Sequence, residues 1–356
     1  MSQVEFVATL VTLFHSTRCE PLVAKGEHME DKRAELKELM KESVSKLTLT
    51  VKDPASVKLR WAQGSRDHQE DRYKCILPHE FSPPQGAQIA YFAVYDGHGS
   101  AEASEFAFQS LHSHIADREE FRSGKYEEAI VLGLKDIDDK LYERFRGGSD
   151  ESAMCGCTVA LCLLDLTSGS LLVANLGDSP IIWGKKDGDG YRVERLSHSH
   201  KPSDNDERDR IFFAGGKLND VTGEDRLGAI NMTRALGDLQ LKRPLNETAV
   251  EKGLEMIAGQ SDSRNTEDDF MSRVPFTLTR RLSRSSSKQI LILASDGVTD
   301  ALEDEKLVTL IGTMEKQGHS ARDISGATIE LVGREKHSDN CTCIVVFLGY
   351  EDEESD

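Results

Sequence analysis

Long apolar runs, excess positive charge and a paired set of cysteines are all missing from this 356-residue sequence. No stretch approaches the roughly 18 consecutive apolar residues that a membrane-spanning helix needs. The apolar segment 7–14 is short, and Glu5 precedes it where a signal peptide would carry Lys or Arg. The sequence therefore predicts no membrane association. We expect a monomer in the cytosol or nucleus, with a processed mitochondrial N-terminus left open.

The shortage of basic charge also bears on partners. Acidic residues outnumber basic ones by 62 to 44, which gives a formal net charge of −18. Nucleic-acid surfaces are basic and often carry interleaved aromatic residues, so we expect no nucleic-acid partner and disfavour a two-metal nuclease. Solubility alone explains many acidic surfaces. The charge also suits a protein that captures phosphorylated segments through metal ions.

The seven cysteines are odd in number and show no secreted-type framework, which indicates a reducing compartment. Two pairs, Cys155 with Cys157 and Cys341 with Cys343, have the i, i+2 spacing that places side chains on one face of a strand. A zinc site is the alternative, but zinc sites more often use a two-residue spacing on turns. We expect buried strand cysteines that pack as small apolar groups.

Apolar periodicity predicts one main domain at 47–350, an N-terminal extension at 1–46 and an acidic tail at 351–356. Alternation or continuous apolar character predicts strands that include 89–95, 158–166, 170–176, 289–294 and 341–348. Helical spacing predicts helices at 30–44, 126–145, 302–316 and 320–333, and a short helix capped by Ser203 that stops at Gly215. Antiparallel hairpins with helices gathered outside indicate an α+β layered sandwich.

The segment 244–288 differs from its surroundings. It is first polar and acidic and then basic and serine-rich, so we interpret much of it as a mobile loop. Arg280, Arg281 and Ser283 resemble a target for basophilic kinases, and phosphate there would add about −1.5 to −2 charge. An ordinary basic loop is the other interpretation.

Acidic residues stand at the ends of apolar runs, most of them beside Gly, Asn or Arg. They are Glu70, Asp71, Asp96, Asp178, Asp296, Asp300 and Asp339. Clustered carboxylates need positive charge, which a pair of hard divalent cations would supply. In Asp96-Gly97 the glycine frees the backbone to bend, so that a main-chain carbonyl can join the carboxylate on an ion. Asp-Gly is also a common turn.

His98 follows at once, and its position beside candidate metal ligands suggests a proton donor. A plain turn or capping role is the alternative. Together these motifs resemble the metal-dependent protein serine/threonine phosphatases of the 2C type, from about residue 57 to about residue 349. The segments that carry the resemblance, in the family's order, are 66–71, 91–99, 156–160, 174–179, 200–202, 210–216, 234–238, 294–300 and 338–340.

The resemblance implies a four-layer α-β-β-α sandwich, in which two antiparallel sheets are flanked by helices, with a two-metal site at one end. It implies that two Mn²⁺ or Mg²⁺ ions are held by five groups, namely Glu70, Asp96, the carbonyl of Gly97, Asp296 and Asp339. A weaker third ion would lie near Asp178, Asp296 and Asp300. It further implies a flap at 200–230.

In the mechanism that the resemblance implies, a hydroxide bridging the two metals attacks phosphorus directly. Asp71 would orient bound water, Arg66 would clamp the phosphate and His98 would protonate the leaving oxygen. A salt bridge to Glu70, four residues on, is the structural alternative for Arg66. The substrate would be a phosphoserine or phosphothreonine in a protein.

Two positions depart from the family pattern: Pro180 follows Gly177-Asp178-Ser179 where Arg is usual, and Ser199 replaces Asp before His200. Neither is an expected metal ligand, but Pro180 predicts a locally irregular strand. Every expected metal ligand is present, which favours an active phosphatase. A catalytically weak or inactive phosphatase-like protein that only binds partners is the alternative.

Overall fold

The computed structural model describes residues 6–11, 68–78, 80–81, 87–221, 223–245, 269–282, 288–333 and 339–350. Its strands are β1 (Phe6–Val11), β2 (Arg72–Ile76), β3 (Ile89–Tyr95), β4 (Gly97–His98), β5 (Gly156–Cys157), β6 (Val159–Asp165), β7 (Ser170–Leu176), β8 (Ile181–Asp187), β9 (Gly190–Arg195), β10 (Asn219–Val221), β11 (Glu224–Arg226), β12 (Leu236–Gly237), β13 (Phe276–Arg281), β14 (Gln289–Ala294) and β15 (Cys343–Tyr350). Its α-helices are α1 (Glu102–Ala116), α2 (Glu119–Arg122), α3 (Tyr126–Arg146), α4 (Glu151–Met154), α5 (Asn205–Phe213), α6 (Asp296–Thr299), α7 (Asp304–Lys316) and α8 (Ala321–Val332).

Two five-stranded antiparallel sheets lie at the centre of the fold. The first has the order β13-β7-β6-β3-β2 and the second has the order β1-β15-β14-β8-β9. The chain passes from the first sheet to the second at residues 177–180, between β7 and β8. Pro180 lies in this crossing rather than in an irregular strand, and its carbonyl accepts a hydrogen bond from Ala294 at 3.1 Å.

Alternation along β3 shows why the sheets stack. Ala90, Phe92 and Val94 join the apolar layer between the two sheets. Tyr91 and Tyr95 point to the opposite face, where the helices pack. Successive side chains of a strand point to opposite faces, so a strand that is buried on both is apolar throughout. Truncating Phe92 to Ala would cost about 3–5 kcal/mol, because it would leave a cavity between the sheets.

Helices cover both outer faces. Leu111 of α1 and Leu134 of α3 are buried against the first sheet. Ile311 of α7 and Ile324 of α8 are buried against the second. The described residues thus form the four layers α-β-β-α, and the predicted fold class is confirmed.

Several local predictions need correction. The cap of α5 is Asp204, not Ser203, because Asp204 has extended backbone and its Oδ1 accepts from the Asp206 amide at 2.9 Å. A loop over 244–288 is wrong for residues 276–281, which form β13 and pair with β7. Leu278 of this strand packs against the layer between the sheets, so the local polarity was outweighed by tertiary contacts.

The N-terminal extension contributes a strand that no periodicity had indicated. Strand β1 pairs with β15, in a register that joins Phe6 to Tyr350 and Val11 to Val345. The domain boundary at residue 46 stays a prediction. The expected helix at 30–44, Arg66 and Ser283 lie outside the described residues. No helix within the described ranges is both long enough and apolar enough to cross a membrane.

Candidate metal centre

Acids from both sheets meet at one end of the sandwich. Asp96 follows β3 of the first sheet directly, and Asp296 follows β14 of the second after a single residue. The backbone N–H of Asp296 donates to Oδ2 of Asp96 at 3.4 Å, across 200 positions of sequence. Each strand therefore delivers its acid to the same place.

Asn340 joins two further predicted ligands to this end. Its Oδ1 accepts from the Glu70 amide at 2.8 Å, and its Nδ2 donates to the His68 carbonyl at 3.0 Å. The Asn340 amide donates to Oδ1 of Asp339 at 2.7 Å. The segments that carry Glu70 and Asp339 are therefore held side by side.

Gly97 is a close-approach position. A Cβ there would lie 2.5 Å from the Glu70 carbonyl oxygen and 2.8 Å from Oγ of Ser104. Ser104 also donates a short hydrogen bond to that carbonyl. A larger residue at this position would push the Glu70 segment away from Asp96, so the glycine is required by space as well as by backbone freedom.

Asp71 lies buried beside Asp96 and Asp339. Its Oδ2 accepts from the Thr342 hydroxyl at 2.7 Å. Burial raises the pKa of Asp71 to about 6, although hydrogen bonds from Thr342 and Ser295 oppose the rise. Its position beside these acids suits a group that orients its neighbours.

Asp178 and Asp300 also lie near Asp296. Asp178 is buried, neither of its oxygens accepts a regular hydrogen bond within the described part of the chain, and Nζ of Lys201 lies 3.3 Å from its Oδ2. Asp300 ends the turn that begins at Asp296, whose carbonyl accepts its amide at 2.8 Å. Burial would lower the pKa of Lys201, but Asp178, Asp300 and Asp296 raise it above its ordinary value.

The electrostatics of this end are dominated by unbalanced negative charge. Burial, and then Asp178 and Asp300, raise the pKa of Asp296 to about 7. Burial, with Asp71 as the next cause, raises the pKa of Asp96 well above its usual range. Buried carboxylates behave in this way when like charges crowd together. A divalent cation is the group that would offset them.

The donor chemistry fits a hard cation. All the predicted ligands are oxygen atoms, which Mg²⁺ and Mn²⁺ prefer. The nearby thiol of Cys341 donates to the Asp339 carbonyl, and burial raises its pKa to about 12. In the described ranges, no three acidic, histidine or cysteine side chains are gathered tightly enough to hold an ion as they stand. The acids thus lie in the same region, but their carboxylates do not surround a single point.

His98 lies next to this cluster and pairs with another acid. Its Nε2 lies 2.8 Å from Oδ2 of Asp238, a fully buried residue. Burial alone would lower the pKa of His98, but the carboxylate of Asp238 outweighs it and raises the pKa above its ordinary value. Asp238 lies in the motif at 234–238, but nothing in that motif assigns it a role. Its partner lies 140 positions away, so no local pattern could have paired them.

The predicted flap is anchored by Glu207 of α5. This buried carboxylate accepts from Thr233 at 2.7 Å, from Arg234 at 2.8 Å and from Arg210 at 3.1 Å. Burial would raise its pKa, but the hydrogen bonds from Arg234 and Thr233 lower it to about 2. The flap is thereby tied to the segment that leads into Asp238.

Comparisons with known proteins identify the family of this chain. Residues 56–341 match the family model described as protein phosphatase 2C. Over 300 residues the chain is 27% identical to a probable protein phosphatase 2C 5 of Paramecium tetraurelia, which covers 80% of this chain and 90% of that protein. It is 30% identical over 257 residues to protein phosphatase 1L of Bos taurus, covering 70% of this chain and 61% of that one.

A solved serine-threonine phosphatase 2C of Toxoplasma gondii has the same fold, with a TM-score of 0.62 at 22% identity over 81% of this chain and 93% of that one. A solved sex-determining protein of C. elegans gives a TM-score of 0.61 at 25% identity, covering 81% of this chain and 63% of that one. With the family model spanning most of the sequence, the chain belongs to the protein phosphatase 2C family.

Proposed function

We propose that this protein hydrolyses phosphoserine and phosphothreonine in other proteins, in a reaction that depends on Mn²⁺ or Mg²⁺. The observation that carries the proposal is the meeting of Asp96 and Asp296, delivered by opposite sheets and hydrogen-bonded to each other. A phosphorylated protein segment is the expected partner. The carboxylates repel phosphate unless cations bind first, so substrate capture requires metal.

The proposed ligands are Glu70, Asp96, the Gly97 carbonyl, Asp296 and Asp339 for two ions. Asp178 and Asp300, with Asp296, are proposed for a weaker third. When bound, such ions neutralise the charge of the phosphate and lower the pKa of the attacking water.

The chain supplies the remaining functions. Asp71, held by Thr342, orients the water. His98 gives a proton to the seryl or threonyl oxygen as its bond to phosphorus breaks. Arg66, which lies outside the described residues, is proposed to clamp two phosphate oxygens with its planar fork.

The test is phosphate release from phosphoserine and phosphothreonine peptides in Mn²⁺. We expect turnover by the wild-type chain and its loss in excess chelator. We expect a fall of about 100-fold or more in Asp296→Asn, because a proposed ligand of the ions that stabilise developing charge is lost. Asp117→Asn removes an exposed carboxylate, 83% exposed, and should match the wild type.

A phosphatase-like binding protein gives the opposite result. In that case the wild-type chain would bind Mn²⁺, measured by calorimetry, and release no phosphate from any peptide. Turnover that survives Asp296→Asn unchanged would also overturn the proposed mechanism.

A further inference from the structure

In the hydrogen bond between His98 and Asp238, the acidic partner has a strained backbone. Asp238 is a non-glycine residue with φ of 48°, in the left-handed region. That conformation is disfavoured for most side chains, although Asp and Asn tolerate it best. Strain of this kind persists where the surroundings fix it, and it concentrates at functional sites.

The surroundings of Asp238 fix it tightly. Its amide donates to the Cys155 carbonyl at 2.7 Å. The preceding amide, of Gly237, donates to Oδ1 of Asp138 at 2.8 Å. Oδ2 of Asp138 in turn accepts from Nζ of Lys242 at 2.6 Å. Three contacts therefore fix the backbone of the turn that carries Asp238.

The pair Asp138–Lys242 is itself costly. Their side chains are only 1% and 3% exposed. Burying two charges removes both from water, and a buried ion pair often stabilises a fold less than apolar residues would. The second contact of Lys242, to the Ala235 carbonyl at 2.8 Å, belongs to the same turn. The pair therefore serves to hold one turn in one shape.

Gly156 completes the enclosure. A Cβ there would lie 2.3 Å from Oδ2 of Asp238 and 2.5 Å from Nε2 of His98. The backbone of β5 thus runs directly against the hydrogen bond and leaves room for nothing larger than glycine. Both partners are confined to a single arrangement.

We infer that Asp238 is the positioning residue of His98, holding its ring so that the histidine can deliver a proton to the leaving oxygen. The inference rests on the proposed function. With Nε2 held by Asp238, Nδ1 is the nitrogen without a hydrogen-bond partner among the described residues. As a water oxygen bonds to phosphorus, the bond from phosphorus to the seryl or threonyl oxygen breaks. Its electron pair passes to that oxygen, which takes the proton from Nδ1, while the proton lost by the water passes to solvent. Asp238 only holds the ring in place, as in other carboxylate–histidine pairs.

The experiment compares two esters that differ in how much they need a proton donor. The leaving group of a phosphoserine peptide is a strongly basic alkoxide, whereas that of p-nitrophenyl phosphate is a weakly basic phenolate. Proton donation contributes about 100-fold or more to reactions that need it. We expect Asp238→Asn to lower kcat for the peptide by about that factor and to change kcat for p-nitrophenyl phosphate by less than about threefold.

His98→Gln should give the same pattern, and the double variant should be no slower than His98→Gln alone, because the two residues act as one unit. Affinity for Mn²⁺, measured by calorimetry, should be unchanged in both. Asn tolerates the left-handed backbone, so this variant should fold. Asp238→Gly, which keeps the backbone and removes the side chain, is the second variant.

Equal slowing of both esters by Asp238→Asn, or effects that multiply in the double variant, would show that Asp238 only shapes the turn. The inference would then fail while the proposed function stands. A wild-type chain that hydrolyses neither ester would overturn both. Asp139→Asn, which removes the half-exposed carboxylate next to Asp138, is the matched control and should leave both rates unchanged.

Discussion

Removing metal should make the fold sensitive to the ionisation of Asp296. In the metal-free protein its pKa is raised from 3.8 to about 7, first by burial and then by Asp178 and Asp300. The unfolded chain ionises this group near 3.8, so between those values the folded state binds more protons. The contribution of Asp296 to stability is therefore fully present below about pH 4 and is lost as pH rises through about 7.

The size of the effect follows from the same values. Between pH 5 and pH 8 most of the loss occurs, and at 1.36 kcal/mol for each pKa unit it amounts to about 2–3 kcal/mol. Asp296→Asn removes the ionising carboxylate, so the variant does not undergo this pH-dependent loss of stability. The gain in stability of the variant over the wild type should thus grow by that amount across this pH range. His112 and His200, whose pKa values burial lowers to about 4, act in the opposite direction, but they cancel in the comparison.

The assay is urea unfolding of both chains in excess chelator at pH 5 and pH 8, repeated in saturating Mn²⁺. In Mn²⁺ the sign should reverse, and Asp296→Asn should be the less stable chain, because a ligand that binds the folded state stabilises it. Asp117→Asn should behave as the wild type in every condition. If Asp296→Asn destabilised the chelated protein at pH 8, the account of crowded buried charge would be refuted.

Three further predictions concern charges around the centre. Glu207→Ala should lower the free energy of unfolding by about 2–4 kcal/mol and speed hydrogen exchange in α5, because Arg210 and Arg234 lose their carboxylate partner. Unchanged exchange would contradict the anchoring role. Lys242→Met should cost about 3–5 kcal/mol in urea unfolding, because Asp138 is left buried and unpaired, and Asp138→Asn in the same chain should restore part of it. Lys201→Gln removes the cation beside Asp178, so calorimetry should show a weak Mn²⁺ site tightening by about tenfold or more; an unchanged or weaker site would contradict direct competition.

The strands that carry the acids could be predicted because their signal is local. Strand β3 and strand β14 are buried on both faces, so each is a continuous apolar run that ends at an acid. Gly97 was informative for the same reason, since a glycine after Asp96 signals a bend or a close approach, and the structure shows the approach to Glu70.

Contacts between residues that are distant in the sequence could not be predicted from such local signals. Asp238 was noted within a motif, but its contact with His98 is set by the turn that Asp138 holds. Strand β13 lies in a polar, serine-rich region, and its pairing with β7 supplies the stability that its own composition lacks. Local periodicity indicates which face of an element is buried and where the element ends. It does not indicate which distant side chain will contact that element.

The crossing at 177–180 has a thermodynamic consequence. Asp178 stands where the chain leaves one sheet for the other, and Asp96 and Asp296 belong to opposite sheets. An ion shared by these acids would bind best at one separation of the sheets, so ion affinity and the packing of the interior layer are linked quantities. A core substitution far from the acids, such as one at Phe92, could widen the gap between the sheets. By reciprocity, such a substitution would weaken ion binding by the same factor by which a bound ion favours the narrow spacing. Ion titration would then serve as a gauge of how well the interior is packed.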